Sequence, residues 1–107
     1  MCTVLEHNGE QLTALLTGEI DHHTAGKIRD EIDAAIEFHH PACLVIDFGG
    51  VTFMDSSGIG LVMGRYKLMK QVSGRIRVEN LSAGAYKVMK LAGIERLGEI
   101  KVRETVR

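Results

Sequence analysis

Residues 47–60, DFGGVTFMDSSGIG, join an apolar strand to the start of a helix. The four residues before them, 43–46, form a continuous apolar run, which is typical of a strand covered on both faces. After them, apolar residues recur at helical spacing from about Ser57 to Val72, and Gly74 then ends the helix. A buried strand that leads directly into a helix predicts an α/β fold with DSSG at the connection.

The segment before this stretch predicts a β-hairpin and a first helix. Two strand-like runs, residues 3–7 and 11–17, flank Asn8-Gly9, the dipeptide best suited to a tight type I′ turn. Residues 18–21 break the second strand, and Asp21 is a candidate N-cap for the helix that follows. Pro41 ends that helix. The first two strands are therefore expected to be antiparallel.

The segment after it continues the alternation of strands and helices. Residues 75–79 alternate as a strand, Ser82 caps a third helix that reaches Leu91, and a short last strand lies around residues 98–103. The order is β-β-α-β-α-β-α-β. We expect one domain over residues 1–107, with a mixed sheet that starts as a hairpin, continues as strand–helix repeats and packs against the helices.

Composition and charge exclude several classes of function. The net charge of −1 provides no basic field for nucleic acid, and the basic residues near the C-terminus alternate with glutamates. No apolar run approaches the ~20 residues of a membrane helix, and no signal peptide opens the chain. Two cysteines do not form a disulfide framework, and Cys43 lies in an apolar run. We expect a cytoplasmic protein with free thiols.

The second helix has an unusual outward face. Helical spacing assigns the core stripe to Ile59, Val62, Met63, Tyr66 and Met69. The opposite side then carries Ser57, Gly60, Leu61, Gly64 and Leu68. Glycine inside an exposed helix costs roughly 1 kcal/mol relative to alanine. The face therefore either lets another protein approach closely or is covered by a loop or the C-terminal segment of the same chain.

The serine pair has two compatible interpretations. A serine or aspartate before a helix is usually an N-cap, although Gly58 and Ile59 offer no reciprocal Glu or Gln for a capping box. A phosphate at a helix N-terminus could also act as a switch, because it adds charge without necessarily breaking the helix.

Other chemical signals are weak. Gly58, Gly60 and Gly64 do not have the spacing of a dinucleotide-binding fingerprint. The adjacent histidine pairs, at 22–23 and 39–40, lack the spacing of a helical zinc site, so we expect no metal. Asp47 and Asp55 allow comparison with an aspartyl-phosphate receiver domain, but such a domain needs an acidic pair after its first strand, where this chain has a hairpin.

Two stretches resemble a known family. Residues 17–25, TGEIDHHTA, and residues 51–60, VTFMDSSGIG, with GRYK at 64–67, resemble the STAS-domain antagonists of anti-sigma factors. The resemblance is strongest to the members that release the sporulation factor sigma F, and it extends over nearly the whole chain. It implies a single STAS domain.

The resemblance also implies a mechanism of partner switching without catalysis or a cofactor in this chain. A serine kinase that is also the anti-sigma factor would phosphorylate Ser56 with ATP, and Ser57 is the fallback. The unphosphorylated form would bind that kinase and free the sigma factor, and a PP2C-type phosphatase would reset it. Asp21 would pair with a basic partner residue. The expected docking surface comprises Asp21, Ser56, Ser57, Gly60, Leu61 and Gly64 of a chain that is monomeric when free.

Two alternatives remain at this point. A STAS antagonist or scaffold of another pathway, such as general stress, would bind a different anti-sigma kinase. An aspartyl-phosphate receiver would carry a hydroxylamine-labile phosphate on Asp47 or Asp55, whereas phosphoserine survives hydroxylamine.

Overall fold

A computed structural model describes residues 2–103 and, for Cys2, the backbone only. It contains one five-stranded sheet in the order β1-β2-β3-β4-β5, together with three α-helices. In chain order the elements are β1 (Cys2–Asn8), β2 (Gln11–Ile20), α1 (Ala25–His39), β3 (Cys43–Met54), α2 (Ser56–Gln71), β4 (Arg75–Leu81), α3 (Ala83–Leu91), a 3-10 turn (Ile94–Arg96) and β5 (Glu99–Val102). The predicted order of strands and helices and the α/β class are confirmed.

The sheet is mixed, as expected from the hairpin. β1 runs antiparallel to β2, and the three remaining pairs are parallel. The turn, however, differs from the predicted type. Asn8 pairs with Gln11, so Gly9 and Glu10 are the central residues, and of these only Gly9 has a positive φ, at 64°. A positive φ at the first central position alone belongs to a type II′ turn rather than to type I′.

β2 and β3 are longer than predicted. β2 continues to Ile20 instead of ending at residue 17, because Gly18 adopts a φ of 86° and the parallel ladder absorbs two register shifts. β3 likewise continues through its two glycines to Met54. On its other side, β3 pairs with β4 only as far as Asp47. The last part of β3 is therefore paired with β2 alone within residues 2–103.

The core lies on one face of the sheet. Buried side chains of all three helices cluster with alternate residues of β2, β3 and β4. Residues 43–46 are buried as predicted, but within the described residues helices cover only one of their two faces. Cys43 and Val45 lie on the other face, where Val45 is flanked in register by Thr13 and Arg77.

The buried side of α2 differs from the predicted stripe. Leu61 was expected on the outward face but is only 4% exposed, whereas Met63, expected in the core, is 36% exposed. α1 packs against this side of α2, and its Asp33 forms an ion pair with the buried Arg65 at 2.7 Å between Oδ1 and Nε. The two atoms are close but are not aligned for a linear hydrogen bond. Part of the supposed outward face is thus covered, by α1 rather than by a loop or the C-terminal segment.

Burial shifts both partners of this ion pair toward their neutral forms. Desolvation raises the pKa of Asp33 and lowers that of Arg65, and the attraction between the two charges opposes both shifts. The pair therefore compensates a desolvation cost that each group would bear alone.

Candidate functional site

Asp55 caps α2, which leaves Ser56 without a structural role at the helix start. Asp55 has an extended backbone, and its carboxylate accepts a hydrogen bond of 2.8 Å from the N–H of Ser57. Its carbonyl oxygen also accepts the N–H of Gly58 at 3.0 Å. Ser56 is the first helical residue, and its side chain is exposed. Of the N-cap candidates that the sequence offered, the aspartate is the cap.

Asp21 organises the turn before α1 instead of capping the helix itself. The helix begins at Ala25, and its N-cap residue is Thr24. The Asp21 carboxylate accepts hydrogen bonds from the N–H groups of His23 and Thr24, at 2.9 and 3.1 Å. Desolvation raises the pKa of Asp21, but these hydrogen bonds and the nearby charge of His23 together outweigh it and lower the pKa overall. Asp21 therefore stays ionised around neutral pH.

Asp21 and Asp55 lie at the same end of the sheet, because the parallel strands β2 and β3 end there together. Ile20 at the end of β2 is in register with Met54 at the end of β3. The N–H of Asp55 donates to the carbonyl of Ile20 at 3.1 Å. Asp21 follows the first strand directly, and Asp55 and Ser56 follow the second. The structure thus brings Asp21 and Ser56 to the same end of the sheet, although they are far apart in the sequence.

The other residues expected at the docking surface line a shallow groove between α1 and α2. This α1–α2 groove has a volume of about 270 Å³ and is lined by Ala25, Arg29, Ser57, Gly60, Leu61, Gly64 and Arg65. Gly60 is exposed and Gly64 is half-buried. A Cβ atom added at either glycine would meet nothing within 4 Å. By contrast, a Cβ at Gly58 would clash with the side chain of Met54. A side chain at 58 would therefore force Met54 to move, whereas side chains at 60 and 64 would not meet such a contact.

Ser56 borders a second and larger groove, which the sequence did not reveal. This β3–α3 groove has a volume of about 690 Å³, and its walls include Val51, Phe53, Ser56, Ile59, Ala85 and Val88. Phe53 and Val88 are 53% and 45% exposed. The alternation of Val51 and Phe53 was a signal for an extended strand, but the position of α3 across from it depends on tertiary packing. The serine pair is thus divided, since Ser56 faces the β3–α3 groove and Ser57 the α1–α2 groove.

The features of a receiver site are not reproduced. Asp47 accepts hydrogen bonds from the Gly49 N–H at 2.7 Å and from the Asn80 amide at 2.9 Å, so it connects β3 to the end of β4. Asp55 is the helix cap described above. Among the described residues, no cluster of three or more His, Cys, Asp or Glu side chains could hold a metal ion. Both aspartates therefore have structural roles.

Within residues 2–103, the helices are too short or too polar to span a bilayer.

Comparison with known proteins identifies the family. The STAS domain profile matches residues 3–107. The chain belongs to the STAS family. Two proteins named anti-sigma F factor antagonist are similar to it. The one from Lysinibacillus sphaericus is 39% identical over 85 residues, covering 79% of this chain and 73% of the relative. The one from Paenibacillus polymyxa is 33% identical over 93 residues, covering 87% and 80%.

A further relative and two solved structures are also similar to this chain. An anti-sigma-B factor antagonist from Bacillus subtilis is 27% identical over 99 residues, or 92% of this chain and 89% of the relative. The anti-sigma factor antagonist SpoIIAA in its unphosphorylated form superimposes with a TM-score of 0.80 at 33% identity, covering 92% of this chain and 87% of SpoIIAA. The phosphorylated form of the Bacillus SpoIIAA gives a TM-score of 0.74 at 34% identity, with 92% and 90% covered. The predicted resemblance to this family is confirmed.

Proposed function

We propose that this STAS domain is an antagonist of an anti-sigma factor and works by partner switching. Its unphosphorylated form binds an anti-sigma factor that is also a serine kinase, and thereby releases a sigma factor, sigma F of sporulation. Phosphorylation of Ser56 inactivates the antagonist, and a PP2C-type phosphatase restores it. Names of relatives at 33–39% identity support the antagonist role, and the existence of SpoIIAA in two phosphorylation states supports the switch.

One observation carries the choice of Ser56. Its side chain is exposed at the start of α2, while Asp55 supplies the cap. A phosphate there would add negative charge at the positive end of the helix dipole, which favours the helix by about 0.3–1 kcal/mol, and repulsion from Asp55 would offset part of this. We therefore expect the fold to be the same in both states.

The switch then acts on the interface. A hundredfold loss of affinity corresponds to about 2.7 kcal/mol. A dianion placed against an acidic or apolar partner surface can supply this, because like-charge contacts cost several kcal/mol in a complex. The local effect on the helix is too small to be the main cause.

The proposed docking surface combines the end of the sheet that carries Asp21 and Ser56 with the α1–α2 groove. Asp21 stays ionised and can pair with a basic residue of the kinase. Ser57, Gly60 and Gly64 form the groove wall that the partner approaches, and the empty space over both glycines leaves room for its backbone. Leu61 is buried and supports this wall from beneath. In this proposal the free chain is a cytoplasmic monomer.

A second STAS role is favoured by the similarity to anti-sigma-B antagonists, at 27% identity for the Bacillus subtilis protein. In that case the partner would be the kinase of a general-stress pathway. Mixing the chain with purified anti-sigma F and anti-sigma-B factors and measuring both affinities separates the two roles. We expect the tighter complex with the anti-sigma F factor, because the chain is more similar in sequence to the anti-sigma F antagonists than to the anti-sigma-B antagonist.

Peptide mass spectrometry after incubation with an anti-sigma F kinase and ATP tests the modified residue. We expect a single phosphate on Ser56 that survives hydroxylamine. Ser56→Ala should abolish it, while the matched control Ser57→Ala should keep it. We also expect Ser56→Asp to weaken binding of the kinase by about a hundredfold, which is ~2.7 kcal/mol. A phosphate on Ser57 or on an aspartate, or unchanged binding by Ser56→Asp, would contradict the proposal.

A further inference from the structure

The last part of β3 has a free edge inside the fold. The ladder between β3 and β4 ends at the pair Asp47 and Glu79, and β4 then turns away through Asn80, which has a φ of 59°. β3 itself continues to Met54 alongside β2. A strand directs its N–H and C=O groups to both sides, so an edge without a neighbouring strand presents a row of unpaired groups. Within residues 2–103, no strand pairs with the outer edge of residues 50–54.

This edge lies in a sheltered and partly apolar groove. The β3–α3 groove runs along it, with Val51 and Phe53 on one wall and Val88 on the other. At ~3.3 Å per residue, the five residues from Gly50 to Met54 extend over about 16 Å. Ser56, which follows shortly after this part of β3, also lines the groove. β1 and β5 also have outer edges, because they are the first and last strands of the sheet.

Opposite charges mark the two ends of the groove. At the start, the Arg103 guanidinium lies beside the carbonyls of Phe48 and Gly49, at 3.4 and 3.3 Å. At the other end, Asp55 lines the groove together with Ser56. A segment that fits here needs an acidic side chain near Arg103 and a basic one near Asp55.

We propose that the free edge of β3 binds an extended segment of a partner protein as an added strand. Backbone hydrogen bonds to residues 50–54 provide affinity, as in other cases of strand addition, and pockets for alternate side chains provide specificity. The segment carries apolar residues at every second position, an acid at its Arg103 end and a base at its Asp55 end. It continues the surface that contains Ser56, so a partner bound in this way has its next residues at that serine. The strand addition goes beyond the proposed function, because it requires neither phosphorylation nor a particular kinase.

Nuclear magnetic resonance with the full chain and two synthetic peptides tests the proposal. The probes are acetyl-EVTVTVK-amide and its reverse, acetyl-KVTVTVE-amide, which provide the required pattern for a parallel or an antiparallel strand. We expect one of them to shift the amide resonances of residues 50–54 and of α3, and to slow hydrogen exchange at alternate amides of residues 50–54. A peptide N-methylated at alternate positions should bind about tenfold more weakly, because its backbone donors are blocked.

Side-chain variants provide matched controls. Val88→Ser and Phe53→Ser should each weaken the peptide severalfold, because they remove apolar contacts from the groove walls. Val72→Ser changes a valine that is 53% exposed at the end of α2, outside the groove, and should leave the affinity unchanged.

Several outcomes would overturn the proposal. These are the absence of binding by both peptides at millimolar concentration, equal binding by the N-methylated peptide, and shifts confined to residues 2–8 of β1. Full exchange protection of residues 50–54 before any peptide is added would also overturn it, since the edge would already be filled within the chain or by a second copy. None of these results bears on whether Ser56 is phosphorylated, so the two proposals can fail separately.

Discussion

At the scale of single residues, the start of α2 has different roles for Asp55, Ser56 and Ser57. Asp55 holds the helix through its bond to the Ser57 N–H, and Ser56 presents its hydroxyl to solvent beside the β3–α3 groove. A residue that both capped the helix and accepted phosphate would lose its cap when modified. In the proposed switch, the separation of the two roles would allow Ser56 to change its charge while the helix stays intact.

We predict that Asp55→Ala destabilises the fold by about 1 kcal/mol, the usual cost of losing an N-cap. Ser56→Ala, one residue further on, should change the free energy of unfolding by less than about 0.5 kcal/mol, as surface substitutions usually do. Urea unfolding of the two variants and the parent chain measures both effects. Equal losses in the two variants would show that Ser56 contributes to the cap after all.

At the scale of elements, α2 shows what its glycines contribute. The side chain of Met54 occupies the space that a Cβ atom at Gly58 would need, whereas Gly60 and Gly64 have open space around that position. Glycine inside a helix is less favourable than alanine by roughly 1 kcal/mol. The helix therefore bears a cost at residues 60 and 64 that its own packing does not explain, and the close approach of a partner in the proposed complex would explain it.

We predict that Gly60→Ala raises stability by about 1 kcal/mol through helix propensity, which would raise Tm by several degrees. The same substitution should weaken binding of the anti-sigma factor, because the methyl group occupies the space that the partner needs. Gly58→Ala serves as the contrast and should lower stability. Thermal unfolding and a binding titration give the two readouts. A Gly60→Ala variant that is more stable and binds normally would remove this glycine from the docking surface.

At the scale of the whole molecule, an ion pair that was not predicted from the sequence joins α1 and α2. Arg65 is buried, and its charge is compensated by Asp33, whose side chain is 34% exposed. The pair sits beneath the α1–α2 groove, since Arg65 also lines that groove. It thus fixes the position of the two helices that form the proposed docking surface.

We predict that Asp33→Ala destabilises the fold by about 1–2 kcal/mol, less than the 3–5 kcal/mol of a fully buried pair, because solvent reaches the aspartate. Asp30→Ala breaks an exposed pair with Arg29 and should cost less than about 0.5 kcal/mol. The double variant Asp33→Leu with Arg65→Met should recover most of the loss, since no charge is then left buried. Urea unfolding of the series decides the matter, and equal losses from Asp33→Ala and Asp30→Ala would refute the role of burial.

Local sequence signals were enough to predict the order of the elements, the hairpin, the Ser82 cap of α3 and the strand-to-helix connection at Ser56. These features rest on local signals within a few residues, such as caps, turns and spacing. The buried side of α2 depends on tertiary packing, because apolar residues lie on more than one side of this helix and the packing of α1, with its Asp33–Arg65 pair, selects among them. Tertiary packing also leaves the last part of β3 paired on one side only within residues 2–103, because the end of the β3–β4 ladder after Glu79 depends on how distant strands pair. Local patterns determine which elements form, and long-range packing determines which of their faces remain available.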